Sequence, residues 1–270
     1  MGKNKKRKIA SHTQAGKALL KAQKSSAQTA TPKPVKPTIP FATEDRILLV
    51  GEGDFSFAKS IVEEHGCYEV TATCFDSQAE LFEKYKPQAE EHVHYLEEES
   101  QTVVYGVDAT KLDQNKTLKK GGLFDRILFN FPHVGGKSKD VNRQVRFNQE
   151  LLVKFFAAAK LLLLPEGTIV VTLFEGEPYT LWNIKDLARH SELQVQRSFK
   201  FVAEAYPGYS HARTLGNIEG GGGWKGEDRE ARSFVFQRKP GGQQAAQQTL
   251  AQPNSKKRKK AADDDSDNEG

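Results

Sequence analysis

Blocks of apolar residues recur along the central part of the chain, at lengths typical of buried strands. They lie at residues 46–50, 68–75, 103–107, 124–129 and 168–173. Segments with apolar residues at helical spacing separate most of these blocks, and the longest segment covers residues 142 to 164. The alternation predicts an α/β fold in which helices cover both faces of a mostly parallel sheet.

Two further strands are predicted near the end of this region, at residues 193–201 and 233–237. No clear helical pattern separates them, so we expect an antiparallel pair at one edge of the sheet. Right-handed crossovers bring the carboxyl ends of the parallel strands to one rim. Ligands bind at that rim in sheets of this kind, which directs attention to the residues that follow each strand.

The first strand runs directly into a turn that contains two glycines. Gly51 and Gly53 permit a sharp turn and the close approach of a ligand, and Ser56 or Asp54 can cap the following helix. Strand, turn and helix together are typical of a nucleotide-type cofactor site, although the third glycine of the dinucleotide fingerprint is missing. A buried strand with a tight turn is the alternative interpretation.

Acidic residues follow three successive predicted strands. Glu52 and Asp54 come after the first strand, Asp76 after the second and Asp108 after the third. A carboxylate after the second strand can accept hydrogen bonds from a ribose, and one after the third can accept from the amine of adenine. Asp54 would repel the phosphates of a dinucleotide, whereas the sulfonium of S-adenosylmethionine is a cation. The pattern favours S-adenosylmethionine, although any single aspartate could be a turn or cap residue.

The fourth strand ends in a short loop, Asn130-Phe131-Pro132-His133. This loop resembles the Asn-Pro-Pro-aromatic loop of methyltransferases that modify planar nitrogen, in which the loop oxygens accept from the nitrogen and a ring stacks on the base. Here Phe131 lies inside the motif and His133 takes the terminal aromatic position. His133 can stack, form a hydrogen bond or take up a proton near neutral pH. A surface turn is the alternative interpretation.

The segment between the two late strands is a second candidate for substrate contact. It begins with Tyr206-Pro207-Gly208-Tyr209-Ser210-His211-Ala212-Arg213-Thr214, and four glycines, Trp224 and Lys225 follow. Tyr209, His211 and Arg213 combine stacking surfaces with positive charge, which suits single-stranded RNA. An ordinary hairpin excursion is the alternative.

Charge divides the 270-residue chain into three parts. Residues 1–43 hold ten Lys and Arg and no acidic residue, residues 44–239 hold 25 basic and 30 acidic residues, and residues 240–270 hold five of each. Hydrophobic residues make up only 37% of the chain, and the deficit lies at the ends. We therefore expect a disordered basic arm, one folded domain and a disordered tail, with those bounds. The arm either attracts a polyanion such as RNA or serves only for targeting.

Both ends of the chain carry a basic cluster of the nuclear-localisation type. The clusters are Lys5-Lys6-Arg7-Lys8 and Lys256-Lys257-Arg258-Lys259-Lys260. They make the nuclear import machinery an expected partner. Ser266 lies among acidic residues and is a candidate site for an acidic-directed kinase.

Several classes of protein are disfavoured. Cys67 and Cys74 are too few for a disulfide framework, and we expect both in a reduced core. No apolar stretch reaches transmembrane length, and the first residues are too basic and polar for a secretory signal. His92 and His94 fit no usual zinc pattern with the cysteines, so no metal site is predicted.

Three motifs occur together in one order: residues 51–57, 130–133 and 206–214. In combination they resemble the Rossmann-like class I methyltransferase family that contains the fungal nucleolar enzyme acting on N3 of a uridine in 25S ribosomal RNA. The resemblance covers roughly residues 44 to 239. It implies S-adenosylmethionine as methyl donor, ribosomal RNA or a pre-ribosomal particle as substrate, and a nuclear, nucleolar location.

This resemblance and the chemistry above assign expected roles. N3 lies on the pairing edge of the base and its proton is weakly acidic, so the uridine must be unpaired and must meet a proton acceptor or an oxygen cage. We expect Asn130 and the backbone oxygens of Phe131 and Pro132 to orient the base, Phe131 to stack on it, and His133 to assist proton removal. The expected cofactor-binding residues are Gly51, Glu52, Gly53, Asp54, Phe55, Ser56, Asp76, Asp108 and Ala109, and further substrate contacts are Tyr209, His211 and Arg213.

Two other functions fit the same sequence. One is a methyltransferase for another RNA, such as tRNA. The other is a non-catalytic RNA-binding ribosome-assembly factor that keeps the methyltransferase fold. In each case a monomer is expected.

Overall fold

The computed structural model describes residues 36–214, 216–217 and 226–240, and within them seven strands form one sheet. The sheet order is β3-β2-β1-β4-β5-β7-β6. The strands pair in parallel from β3 to β5, whereas β7 is antiparallel to both of its neighbours. The strands are β1 (Ile47–Leu49), β2 (Val70–Thr73), β3 (Thr102–Val104), β4 (Phe124–Asn130), β5 (Leu163–Phe174), β6 (Leu193–Phe201) and β7 (Ala231–Arg238).

This arrangement confirms the predicted Rossmann-like α/β class with an antiparallel pair at one edge. The chain leaves β1 toward β2 and β3, and then returns to place β4 on the other side of β1. The crevice between the carboxyl ends of β1 and β4 is therefore the point where the strand order reverses. Sheets of this type bind their ligands at that point.

Helices cover both faces of the sheet. They are α1 (Ser56–Glu63), α2 (Gln78–Lys84), α3 (Gln88–Glu98), α4 (Lys116–Gly121), α5 (Val141–Leu162) and α6 (Ile184–His190), with short 3-10 turns at Ala109–Gln114, Tyr179–Trp182, Ala203–Ala205 and Gly226–Asp228. One apolar core packs Leu48 under α5, and the other packs Ile47 and Leu49 under α1. Neighbouring residues of β1 thus face opposite cores, as the unbroken apolar run predicts. No helix among these residues is long and apolar enough to span a membrane.

Local sequence signals explain several element boundaries. Ser77 and Glu80, three residues apart, form a capping box at the start of α2. Residues 181–190 do not form one continuous helix, because Asn183 adopts a left-handed conformation between a 3-10 turn and α6. Helix α4 was not predicted: it is six residues long, and of these only Leu118 is buried.

The packed structure begins before residue 44, where the sequence placed the end of the basic arm. Pro40 is buried, and Ile39 and Phe41 pack against the core that contains α1. Phe41 contacts the rings of His65 and Tyr206. Apolar side chains therefore draw at least residues 39–41 onto the domain.

Candidate active site

A cavity of about 860 Å³ opens at the carboxyl ends of the central strands. It is large enough for a nucleoside-sized ligand together with part of a second molecule. Most of the residues predicted to form the site line it: Gly51, Glu52, Gly53, Asp54, Ser56, Asp76, Asp108, Ala109, Asn130, Phe131, His133, Tyr209, His211 and Arg213. Phe55 and Pro132 do not line it, since both side chains are buried beside it.

The two glycines of the first turn are required for different reasons. Gly51 has a φ of +71°, and a Cβ at this position would stand 2.5 Å from the ring of Phe129. A Cβ on Gly53 would stand 2.6 Å from the Cβ of Ala212, in the segment after β6. The second glycine therefore allows that segment to pack directly against the turn.

Carboxylates, rather than Ser56, hold the first turn of α1. Asp54 Oδ1 accepts a hydrogen bond from the backbone N–H of Ser56 at 3.0 Å, and Glu52 Oε2 accepts from that of Ala58 at 3.2 Å. The hydroxyl of Ser56 instead donates to the carbonyl of Ser210 at 3.0 Å and accepts from its N–H at 3.1 Å. The Ser56 side chain therefore fastens the segment after β6 to the start of α1.

Glu52 has a strongly perturbed acidity. Burial raises the pKa of its carboxyl to about 8, the hydrogen bond from Ala58 opposes this, and the charge of Asp54 adds to it. With no cation in the cavity, this carboxyl keeps its proton at neutral pH. A positively charged ligand next to it would favour the ionised form, so the turn is suited to a cation.

Asp76 and Asp108 line the cavity and also serve the local structure. Asp76 pairs with Lys84 of α2 at 2.5 Å. Asp108 Oδ1 accepts from the backbone N–H of Thr110 at 2.8 Å and from its hydroxyl at 2.7 Å. Burial alone would raise the pKa of Asp108, but these bonds and Lys111 outweigh it and lower the pKa, so Asp108 is an anion at neutral pH. Asp76 keeps its second oxygen for a ligand, and Oδ2 of Asp108, which lies 3.6 Å from the ammonium of Lys111, has lone pairs left to accept a hydrogen bond.

The loop after β4 is anchored to the end of β5. Asn130 pairs with Thr172 in the sheet, and the N–H of Phe131 donates to the carbonyl of Thr172 at 2.8 Å. Phe131 has a φ of +50°, a conformation that costs a bulky residue about 1–3 kcal/mol and that clusters at functional sites. Among the described residues, the carboxamide of Asn130 forms no hydrogen bond. It is therefore available to a ligand in the cavity.

Phe131 lies in an aromatic cluster that joins the loop to the segment after β6. Its ring centroid lies 4.5 Å from that of Phe174, 4.4 Å from that of His211 and 5.6 Å from that of Phe201. The ring of His211 meets that of Phe131 edge-on, at 81°. Phe131 is half-buried, so a base could meet only the part of its ring that faces the cavity.

A backbone hydrogen bond fixes the tautomer of His133. Its Nδ1 accepts from the N–H of Gly135 at 2.9 Å. Nδ1 therefore carries no proton, and in the neutral ring the proton lies on Nε2. Burial lowers the pKa of His133, which keeps the ring neutral at neutral pH. In this geometry, His133 offers the cavity a donor.

Residues 209–214 form one wall of the cavity, and Tyr206 anchors the start of this segment. Tyr206 stacks on Phe201, the hydroxyl of Tyr85 donates to the carbonyl of Arg213 at 2.8 Å, and Tyr209 Oη lies 3.0 Å from His211 Nδ1. The side chains of Tyr209, His211 and Arg213 line the cavity together. Gly220–Gly223, Trp224 and Lys225 lie outside the described residues.

Comparison with known proteins decides the family. A family model described as rRNA (uridine-N3-)-methyltransferase BTM5-like matches residues 48–213. The chain belongs to this family. The match includes the glycine turn, the loop after β4 and all but the last residue of the segment at 206–214, so the resemblance drawn from those three motifs is confirmed.

The chain is also similar to individual proteins. The chain is 31% identical over 252 residues to the 25S rRNA (uridine(2634)-N(3))-methyltransferase of Saccharomyces cerevisiae, and the match covers 74% of each chain. It is 35% identical over 176 residues to heavy metal-associated isoprenylated plant protein 41 of Arabidopsis thaliana, where it spans 64% of this chain and 34% of the plant protein. Among solved structures, a methyltransferase from Pyrococcus furiosus is 21% identical, with a TM-score of 0.42 over 72% of this chain and 76% of that one.

Four residues that line the cavity were not singled out from the sequence. Helix α5 lines the cavity with Phe147, Glu150, Leu151 and Lys154, which are spaced at one helical face. The spacing was visible in the sequence. Which face of α5 lies beside the strand ends depends on how the helix packs, and the spacing alone could not show it.

The described residues contain no group of three or more His, Cys, Asp or Glu placed to hold a metal ion. What the cavity does bring together is a pair of carboxylates at the first turn, two more at the next strand ends and a polar loop at β4. Such a site can hold a cationic ligand that carries hydroxyls and can place a planar base against Asn130.

Proposed function

We propose that this chain transfers a methyl group from S-adenosylmethionine to N3 of a uridine in large-subunit ribosomal RNA. One observation carries the proposal: a single cavity contains both the carboxylate-rich turn after β1 and the carboxamide of Asn130 after β4, which forms no hydrogen bond among the described residues. The family and the yeast relative support the choice of reaction and of RNA.

The residues at the first turn fit this cofactor. S-adenosylmethionine, when bound, supplies a methyl group on a positively charged sulfur. Glu52 and Asp54 would balance the charges of its methionine part, Asp76 would accept from the ribose hydroxyls, and Asp108 with the backbone of Ala109 would contact adenine. Gly51 and Gly53 would let the backbone approach the cofactor closely, whereas Phe55 and Ser56 would hold the shape of the turn. Glu52 supports this fit, because its buried carboxyl has a pKa raised to about 8 and would ionise more readily beside a cation.

The loop after β4 would hold the base. Asn130 Oδ1 would accept from the uridine N3–H, and the loop backbone at Phe131 and Pro132 would fix the plane of the ring. As the N3–H proton passes to solvent water, negative charge develops on N3 and the uracil oxygens. This charge is discharged when the methyl group passes from the sulfonium sulfur to N3, so that one S–C bond breaks as the N3–C bond forms. The Nε2–H of His133 would donate to one of the uracil oxygens, which stabilises that charge. The bond from Gly135 to Nδ1 thus favours a donor role for His133 over the proton-acceptor role expected from the sequence.

Substrate transfer tests the proposal directly. The full chain is incubated with methyl-labelled S-adenosylmethionine and, in separate reactions, a large-subunit rRNA transcript and bulk tRNA. We expect label in the rRNA and a reverse-transcription stop at one uridine, because N3-methylation blocks pairing. Label only in tRNA would favour the alternative substrate. Cofactor binding without transfer to either RNA would favour a non-catalytic assembly factor.

The cellular setting belongs to the same proposal. We propose that the protein acts as a monomer in the nucleus and nucleolus, during ribosome biogenesis, and enters through its two basic clusters. Both clusters and Ser266 lie outside the described residues. Replacing Lys5-Lys6-Arg7-Lys8 and Lys256–Lys260 by alanine in a fluorescent fusion should leave the protein outside the nucleus. An unchanged nuclear signal would contradict the import role.

A further inference from the structure

The loop that follows His133 and the first turns of α5 carry an excess of positive charge on an otherwise acidic domain. Residues 134–147 contain four basic residues and one acidic residue, whereas residues 44–239 as a whole carry 25 basic and 30 acidic residues. The basic residues are Lys137, Lys139, Arg143 and Arg146, and all four are exposed. We call this set the basic surface.

None of these cations is neutralised locally by an ion pair among the described residues. The carboxylate of Asp140 accepts from the N–H of Arg143 at 2.9 Å and so caps α5. Glu150, the next acidic residue along the chain, pairs with Lys154 at 2.6 Å. The charge of Glu150 also acts on Lys137, and Asp140 offsets one of the four cations, so residues 134–147 keep an excess of positive charge for a ligand.

Hydrogen bonds from α5 hold the loop in place. Asn148 Oδ1 accepts from the N–H of Val134 at 3.0 Å, Gln144 Nε2 donates to the carbonyl of Gly135 at 2.6 Å, and Gln144 Oε1 accepts from the N–H of Ser138 at 3.2 Å. Asn148 is buried, so these contacts are sheltered from water. The loop backbone is therefore a fixed platform, and ordering on binding is confined largely to the side chains of the cations.

The platform begins at the mouth of the cavity. Lys137 lines the cavity, and its ammonium lies 5.9 Å from the ring centroid of Phe147, which also lines it. Arg143 lies one helical turn before Phe147 on the same side of α5. A cationic path thus leads outward from the point where Asn130 and His133 would meet the base.

We propose that the basic surface binds the phosphate backbone of single-stranded RNA next to the base held in the cavity. Successive phosphates would meet Lys137, Arg143 and Arg146, while the base between them turns into the cavity. Charge complementarity identifies the occupant as a polyanion, and the adjoining base-sized cavity identifies it as an unpaired nucleic acid strand. The inference deepens the proposed function and rests on it for the identity of the RNA.

Salt dependence of RNA binding tests the surface. The probe is a fluorescein-labelled 20-nucleotide oligouridine, and binding to the full chain is followed by anisotropy without cofactor. The triple variant Lys137→Gln, Arg143→Gln, Arg146→Gln should lower the slope of log K against log salt by about 2, at roughly 0.7 for each lost phosphate contact. If the two proteins bind equally at 1 M salt, this slope difference corresponds to roughly 100-fold weaker binding at 0.1 M salt.

A matched control removes the same charge elsewhere. Lys116, Lys119 and Lys120 are exposed on α4, which ends beside Arg46 at the amino ends of the strands, away from the cavity. Their replacement by glutamine should leave the slope near that of the wild type. An unchanged slope in the first variant, or an equal loss in the control, would overturn the inference.

A second measurement tests RNA binding by the basic surface independently of the methyl-transfer reaction. The first variant should bind S-adenosylmethionine as the wild type does, and should raise KM for an rRNA transcript much more than it lowers kcat. A wild-type chain that methylates no RNA would defeat the proposed reaction, while the oligouridine slopes would still decide whether the surface binds RNA. Loss of cofactor binding in the first variant would show that Lys137 belongs to the cofactor site and would contradict the assignment.

Discussion

Gly53 and Ala212 are in direct contact although 159 positions separate them in the chain: a Cβ on Gly53 would stand 2.6 Å from the Cβ of Ala212. This contact closes the segment after β6 against the turn after β1. The turn that would hold the cofactor and the segment that would meet the RNA are therefore parts of one packed unit.

We predict that Gly53→Ala weakens S-adenosylmethionine binding about tenfold, since the added methyl group must displace Ala212 at a cost of about 1–3 kcal/mol. Titration calorimetry on the full chain measures the affinity. The paired variant Gly53→Ala with Ala212→Gly should recover most of it, because the second change removes the clashing atom. No recovery would mean that Gly53 is needed for ligand approach and not for this packing.

The acidity of Glu52 predicts a pH dependence of folding in the ligand-free protein. The pKa of Glu52 is raised to about 8 from an ordinary value of 4.5, so between these values the native state binds more protons than the unfolded state. Stability therefore falls as pH rises through this window. In Glu52→Gln the loss of stability that comes from ionising Glu52 should be absent. The variant should therefore be more stable than the wild type at pH 9. Denaturant titrations at pH 5, 7 and 9 provide the comparison, and parallel curves for the two proteins would contradict the raised pKa.

A bound cation should reverse the preference of Glu52 for its proton. We predict that S-adenosylmethionine binds the wild type more tightly as pH rises from 6 to 9, because binding favours the ionised carboxylate. Glu52→Gln should reduce this dependence, and any part that remains belongs to other groups, including those of the ligand. Equal pH dependence in the two proteins would show that Glu52 does not interact with the cofactor.

The tautomer of His133 predicts how substitutions there affect turnover. His133→Gln keeps an N–H donor and should retain most of kcat, whereas His133→Phe keeps the ring shape without the donor and should lose roughly 10-fold or more. Asn130→Ala should lose roughly 100-fold or more while cofactor affinity stays within twofold. Single-turnover methyl transfer at saturating RNA measures these rates. If glutamine is as poor as phenylalanine, His133 acts as the proton acceptor after all.

Two serines of α1 offer a matched pair for the link to residues 206–214. Ser56→Ala removes both hydrogen bonds to the backbone of Ser210 and should destabilise the protein by about 1–3 kcal/mol. Ser60 is also buried in α1, but its hydroxyl has no hydrogen-bond partner in the part of the chain that the structure describes, so Ser60→Ala should be neutral or slightly stabilising. Urea denaturation yields both free energies of unfolding. Equal effects would show that the Ser56–Ser210 bonds contribute little.

Local signals in the sequence determined much of the fold. The apolar runs, the capping box of Ser77 and Glu80, and the acidic residues after β1, β2 and β3 are set within a few residues, so periodicity and turn chemistry predict them. The parallel class then implies that these strand ends share a rim, which is why residues such as Asp76 and Asn130 could be assigned to one cavity.

The tertiary structure decided what depends on contacts between distant parts of the chain. Only packing shows that Ser56 bonds to Ser210, that Gly53 accommodates Ala212, and that α5 directs Phe147 toward the cavity. The proton on His133 lies on Nε2 because the loop brings the N–H of Gly135 to Nδ1, and that loop is held by Gln144 and Asn148 of α5. Such contacts depend on the three-dimensional path of the chain, and the order of residues along it does not reveal them.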